Sequence, residues 1–212
     1  MPVPDTTLQT PDRPQTLREK SKAQSRARLI EAAAEVVSRH GVHGTTIGEI
    51  QKVSGLSRGM INLHFDGKEN LLLAVARDLT QRYDAHMGQV IAAAGADPSA
   101  QLRAVFEADL HPSVLNARDV AIWFSFRAEM HANPTFLAEI STRSGGFPAR
   151  LDGICAALLP AEEAPALATN ALIAMLEGLW TDYHLNPQGF DRDKAWQTCL
   201  YAAARLFPGR FK

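Results

Sequence analysis

Apolar residues recur along this chain at intervals of three and four and nowhere in sustained alternation, so the pattern predicts helices throughout and no strand. Leu29, Ile30, Ala33, Val36 and Val37 mark a first helix over about residues 21–39, stopped near Gly41. Two very short helices follow, one starting at Ile47 and one from Arg58 to about His64. A long helix then runs from Lys68 to about Ala94, with Leu71, Leu72, Val75, Leu79 and Tyr83 on its buried side. The break Gly95-Ala96-Asp97-Pro98 ends it. Beyond that break the spacing predicts helices at about 98–110, 113–131, 134–159, 162–184 and 191–207. Pro148 lacks an N–H and crowds the preceding turn, so it should kink or split the third of these.

The two short helices carry the densest local signals. Thr46 and Glu49 have capping-box spacing, and Asp66-Gly67-Lys68-Glu69 repeats it before the long helix. Between them, Ser54-Gly55-Leu56-Ser57 reads as a tight turn: Gly55 takes positive φ, Leu56 is a buried wedge and Ser57 caps the next helix. A helix barely two turns long and with few residues to bury is a poor packing element. Two of them joined by such a turn read as a helix-turn-helix with its recognition helix at 58–64. In that reading Arg58, Met60, Asn62 and Leu63 face a DNA major groove, while Thr46, His64 and Lys68 meet phosphates.

Charge sharpens this picture. The formal net charge of the 212 residues is only −1, yet residues 13–68 hold ten Lys/Arg against five Asp/Glu, and the remainder is acidic. A basic quarter on an acidic body suits a DNA-reading head on a domain with another task. Four prolines in the first 17 residues predict a disordered arm over 1–20. The head is then 21–68, and 69–212 is the body. A helix of ~40 Å that begins in one and ends in the other is a natural lever between them.

These residues also resemble the TetR family of transcriptional regulators. Its pattern appears here as Thr45, Thr46, Ile50, Ser54, Gly55, Leu56, Ser57, Gly59, Ile61, His64, Phe65, Lys68, Glu69 and Leu71. Asn62 departs from it, standing where most members carry a tyrosine that contacts a phosphate. The resemblance implies an all-α protein: an N-terminal three-helix DNA-binding domain and a C-terminal helical domain for ligand binding and dimerisation. It implies a homodimer on double-stranded, palindromic operator DNA, released by a small-molecule effector.

In the body, aromatic residues carry the chemistry. Trp123, Phe124 and Phe126 cluster within a turn, with Glu129 nearby; Glu177, Trp180 and Tyr183, beside Asp182, form a second group. Aromatic faces with a carboxylate suit a quaternary ammonium, which cannot donate a hydrogen bond and is held by cation–π and Coulomb attraction. Aromatic stripes at helical spacing are nevertheless more often packed core than a ligand box. The phrase Leu176-Glu177-Gly178-Leu179-Trp180, with Asn133-Pro134-x-Phe136-Leu137 and Trp123-Phe124, resembles the BetI branch of the family, whose type members release DNA when choline is present. Trp123, Phe126, Glu129, Glu177, Trp180 and Tyr183 are therefore the candidate effector site. Ala171, Ala174 and Gly178 form a small-residue stripe, and Trp196, Leu200, Ala203 and Phe207 a bulky one. Packing within the protomer would use both stripes, as would the four-helix dimer seam that the family resemblance implies.

A rival function is an all-α enzyme or a ligand-binding protein without DNA binding. No HxxxH, CxxC, nucleophile elbow or phosphate loop supports it, so no catalytic residue, metal or cofactor is expected. Cys155 and Cys199 lie in apolar helical patterns and read as free thiols of a reduced cytoplasm. No apolar run is long enough to span a membrane.

Overall fold

The computed structural model describes residues 16–130, 133–140, 146–160 and 164–211. Every regular element among them is an α-helix: α1 Leu17–Gly44, α2 Ile47–Ser54, α3 Arg58–Phe65, α4 Lys68–Ala93, α5 Pro98–Leu110, α6 Ala117–Glu129, α7 Pro134–Ile140, α8 Gly146–Leu158, α9 Pro165–Leu185 and α10 Arg192–Leu206.

The first helix is longer than its apolar spacing suggested, because capping rather than burial starts it. Thr16 Oγ1 accepts from the Glu19 N–H at 3.2 Å, and Glu19 Oε2 accepts from the Thr16 N–H at 2.7 Å, a complete capping box. Residues 16–20, assigned to the arm, are therefore ordered and helical; residues 1–15 lie outside the described residues. Burial begins only at Leu29, so the first three turns of α1 stand clear of the body. At its other end Gly41 adopts φ 70°, ψ 172° and breaks the helix, which frees the following N–H for a partner on α6.

Three expected caps are corrected. Thr46 Oγ1 does accept from Glu49 N–H at 3.2 Å, but the Glu49 carboxylate goes to Lys52 Nζ at 2.6 Å, leaving the box half-built. Ser57 is the N-cap of α3 without a side-chain bond. Asp66 is not a cap for α4 but the left-handed C-cap of α3 (φ 55°), and side-chain-less Gly67 stands at the N-cap of α4. Gly55 takes the predicted left-handed conformation, φ 65°. The helix expected over 134–159 is two, α7 and α8, with Pro148 in the first turn of α8, where its missing N–H breaks no bond.

Two apolar cores result. One gathers α1, Ile50, Ile61, Phe65 and the first half of α4 around Leu71, Leu72, Val75 and Leu79, and it extends to Ile122 and Phe126 of α6 and Phe136 and Ile140 of α7. The other joins α5, α8, α9 and α10 to Met87 of α4 and Val120 of α6. Helices α4 and α6 thus belong to both. At 1.5 Å per residue α4 spans ~39 Å, and it carries contacts of each core at its two ends.

Candidate DNA-binding head and effector pocket

Recognition helix α3 buries only Ile61 and Phe65, an i, i+4 pair that seats it on α1 and α4. Arg58, Gly59, Asn62 and Leu63 are left on the outside, and Leu63 is 66% exposed although apolar. Met60 is a correction. It is half-buried and packs against the head core, because it borders Ile61 rather than opposing it. Thr46 is exposed at the N-terminus of α2. His64 is half-buried, with Nε2 bonded to nothing among the described residues. Burial, then the nearby charges of Lys22 and Arg26, lower its pKa. Lys68 is engaged in the free protein: its Nζ donates to the Thr45 carbonyl at 3.0 Å and ties α4 to the start of α2. Arg26 lies over the Phe65 ring at 5.0 Å, so the basic face of α1 meets the C-terminal end of α3.

A cavity of about 450 Å³ opens in the body between α4, α5, α6, α8 and α9. Trp123, Glu177 and Trp180 line it as expected; Phe126, Glu129 and Tyr183 do not. The reason is the helical repeat of α6. Ile122, Phe126 and Glu129 share one face (i, i+4, i+7), and Asp119, Trp123 and Arg127 share its neighbour (i, i+4, i+8). The first face turns to the head: Phe126 is fully buried against Phe136 at 5.1 Å, and Glu129 Oε1 pairs with His43 Nδ1 at 3.0 Å. Tyr183 stands outside the cavity, edge-on to Phe190 at 5.4 Å and under the Arg192 guanidinium, and Asp182 is exposed.

Sequence reasoning missed the residue at the centre of the site. Asp109 of α5 is 1% exposed, its Oδ1 accepting from Tyr83 OH at 2.8 Å and its Oδ2 from Trp180 Nε1 at 3.0 Å. Burial pushes its pKa up to about 6, against the lowering effect of those two bonds. Tyr83 is T-shaped to Phe147 at 5.4 Å and to Trp180 at 6.0 Å, and Trp123 meets Trp180 at 6.1 Å. The rings of Tyr83, Trp123, Phe147 and Trp180, with Phe124 beside them, therefore line the cavity, and a carboxylate lies behind two of them. The other carboxylates on the cavity have cationic neighbours: Glu177 has Arg127 at 3.4 Å, Asp84 has Arg150, and Asp119 has Arg82 at 3.9 Å. Asp109 has none among the described residues. One signal pointed to it. Leu102, Val105, Phe106 and Asp109 fall at i, i+3, i+4, i+7, which puts an acid on the apolar stripe of α5.

Of the two stripes expected at a dimer seam, Ala171, Ala174 and Gly178 are exposed on α9, and a Cβ built at Gly178 would meet nothing within 4 Å. On α10 the assignment is corrected in part. Ala195, Cys199 and Ala203 form the inner face, so Ala203 is fully buried within the protomer, as is Phe207, tilted on Phe211. Trp196 and Leu200 flank that face half-buried, and the outward apolar residue is Tyr201, 65% exposed.

Among the described residues no group of side chains could hold a metal ion, and no helix is long and apolar enough to cross a membrane. The family described as "BetI-type transcriptional repressor, C-terminal" matches residues 98–208, and "Bacterial regulatory proteins, tetR family" matches 29–75. The HTH-type transcriptional regulator BetI of Yersinia pestis (strain Pestoides F) is 33% identical over 177 residues, covering 80% of this chain and 86% of that protein. BetI of Ectopseudomonas mendocina (strain ymp) is 29% identical over 171 residues, covering 80% and 87%. A putative transcriptional regulator from Pseudomonas aeruginosa PAO1 superposes with a TM-score of 0.80 at 28% identity, over 90% of this chain and 95% of that one. The transcriptional regulator FadR from Bacillus subtilis, solved in complex with stearoyl-CoA, shares the fold at 20% identity, with a TM-score of 0.71 over 86% of this chain and 98% of its own. With a helix-turn-helix head and this helical body, the chain belongs to the TetR family of bacterial transcriptional regulators, in its BetI-type group of repressors, and is not an enzyme.

Proposed function

We propose that this repressor sits on its operator as a cytoplasmic homodimer and leaves it when a small organic cation with a quaternary ammonium head fills the body cavity. The observation that carries this reading is Asp109, a buried carboxylate without a cationic neighbour among the described residues, backing a box of Tyr83, Trp123, Phe147 and Trp180. An ammonium needs no hydrogen-bond acceptor, only ring faces and negative charge. By accepting from Tyr83 and Trp180, Asp109 makes those two rings more electron-rich, and its own charge reaches the cavity through a medium that screens weakly. The resemblance to a choline-responsive branch points the same way, so choline is the first compound to test.

The route to the head runs through α6. Trp123 and Arg127 face the cavity, while on the adjacent face of the helix Ile122 and Phe126 are set in the head core. Between them Ser125 Oγ accepts from the Val42 N–H at 2.7 Å, the donor that the Gly41 break sets free. A ligand that shifts α6 therefore moves α1 directly, and moves α4 through the core they share. Two recognition helices must stand ~34–36 Å apart to read successive major grooves, so a small tilt of each head suffices. A tenfold loss of operator affinity needs ~1.4 kcal/mol of coupling. Calorimetry with choline, with betaine aldehyde and with a neutral isostere tests the pocket. The two cations should bind at least tenfold more tightly; equal binding by the neutral isostere would mean that the cavity is merely apolar.

A further inference from the structure

The aromatic box occupies one part of the cavity. Its about 450 Å³ lies in the range that holds drug-sized molecules, and choline fills only a fraction of that. One helical turn from Trp123 on the same face of α6, ~6 Å along the axis, the cavity is lined by Arg127. Its guanidinium has five N–H donors, and its ion pair with Glu177 stands at 3.4 Å, well beyond the 2.7–2.9 Å of a charge-assisted hydrogen bond. The side chain is 32% exposed, so its remaining donors are within reach of a ligand. A planar fork of this kind matches a carboxylate bidentately, which an ammonium of lysine could not do.

We propose that Arg127 is a second recognition point and that the effector is two-ended, with an ammonium head in the aromatic box and a carboxylate arm on the Arg127 guanidinium. This rests on the cation reading and narrows it to zwitterions with an arm longer than that of choline. Charge supports the pairing: the head answers the unmatched Asp109, and the arm answers a guanidinium only loosely held by Glu177. Position supports it too. Arg127 lies two residues before Glu129, whose carboxylate bonds His43 of α1, so an arm drawn onto Arg127 pulls on a part of α6 that is tied to the head. The two ends of such a ligand thus grip the wall helix at Trp123 and, one turn on, at Arg127.

Calorimetry on the full-length dimer tests this with trimethylammonium compounds of increasing arm length, each made with a carboxylate end and with a plain alkyl end. One carboxylate length should bind roughly tenfold more tightly than the alkyl compound of the same length, the gain of a charge-assisted pair. Arg127→Ala should erase that advantage and leave alkyl affinity in place, which also shows that the pocket is still folded. Arg127→Lys, keeping the charge without the fork, should retain only part of it. Carboxylates binding no better than alkyl arms, or an advantage that survives Arg127→Ala, would overturn the proposal while leaving the ammonium head intact. Failure of the cation reading looks different: a neutral isostere of the alkyl compound then binds as well as the ammonium, and both proposals fall.

Discussion

In the head, the buried side chains of Thr45 and Ser54 find partners next door. Thr45 Oγ1 donates to the Gly41 carbonyl four residues back, and Ser54 Oγ accepts from the Leu56 N–H two residues on. In the body, the buried carboxylate of Asp109 is held by Tyr83 and Trp180, 26 and 71 residues away on two other helices. A polar group satisfied locally shapes the chain at that point. A polar group satisfied from a distance lasts only while three helices keep their places. That makes the body core responsive: whatever changes the charge or the contacts of Asp109 is felt on α4, α5 and α9 together.

The largest effect expected from this contrast is a pH dependence confined to the body. The Asp109 carboxyl titrates near its ordinary 3.8 when unfolded and at about 6 when folded. The native state therefore holds the extra proton, and the stability this brings is complete below pH 4 and is lost as pH rises through 6, by ~3 kcal/mol in all. Denaturant unfolding across pH 4–7 should show that loss in the wild type and lack it in Asp109→Asn. Effector affinity should run the opposite way, rising as pH passes 6, because a cation favours the ionised carboxylate. A flat difference between the two proteins would place Asp109 among ordinary core residues.

Next in size is assembly. Gly178 lies on the exposed small-residue stripe of α9 and has open space where a side chain would go, so Gly178→Leu costs the protomer little. If that stripe is the seam, light scattering should report monomers and operator binding should collapse; an intact dimer would move the seam to another face. Smaller still is the link between the two regions. Ser125→Ala leaves the Val42 N–H without its partner at a cost of ~1–3 kcal/mol. It should reduce the ligand's effect on operator affinity more than it reduces ligand binding itself. In the head, Arg58→Ala should relax choice at one base pair for about 1–3 kcal/mol. Lys68→Ala should act differently, destabilising the head by loosening Thr45 from α4 as well as lowering the salt slope.

The same contrast explains what could be read from the chain alone. Gly55 at positive φ, the short α3 and the break at Gly95 are local matters, and each is in place. Trp123, Glu177 and Trp180 were also within reach, as aromatic and acidic residues sharing helical faces. Phe126 and Glu129 were misassigned because two adjacent faces of α6 are both apolar and acidic, and only tertiary packing says which turns to the head. Asp109 escaped because its partners come from distant helices, and an acid in an apolar stripe announces burial without naming what satisfies it. Ala203 and Phe207 were grouped with Trp196 and Leu200, which stand one position from Ala195 and Cys199 of the buried row that Ala203 continues.

The account stands on one claim, that an ammonium in the Asp109-backed box drives the protein off its DNA. Operator binding measured by titration at pH 7.5, with and without saturating choline, in the wild type and in Asp109→Asn, tests it most directly. The wild type should lose at least tenfold in operator affinity when choline is added, and Asp109→Asn should bind the operator as before with or without it. Equal release of both proteins, or release of the wild type by a neutral isostere at the same concentration, would contradict the claim.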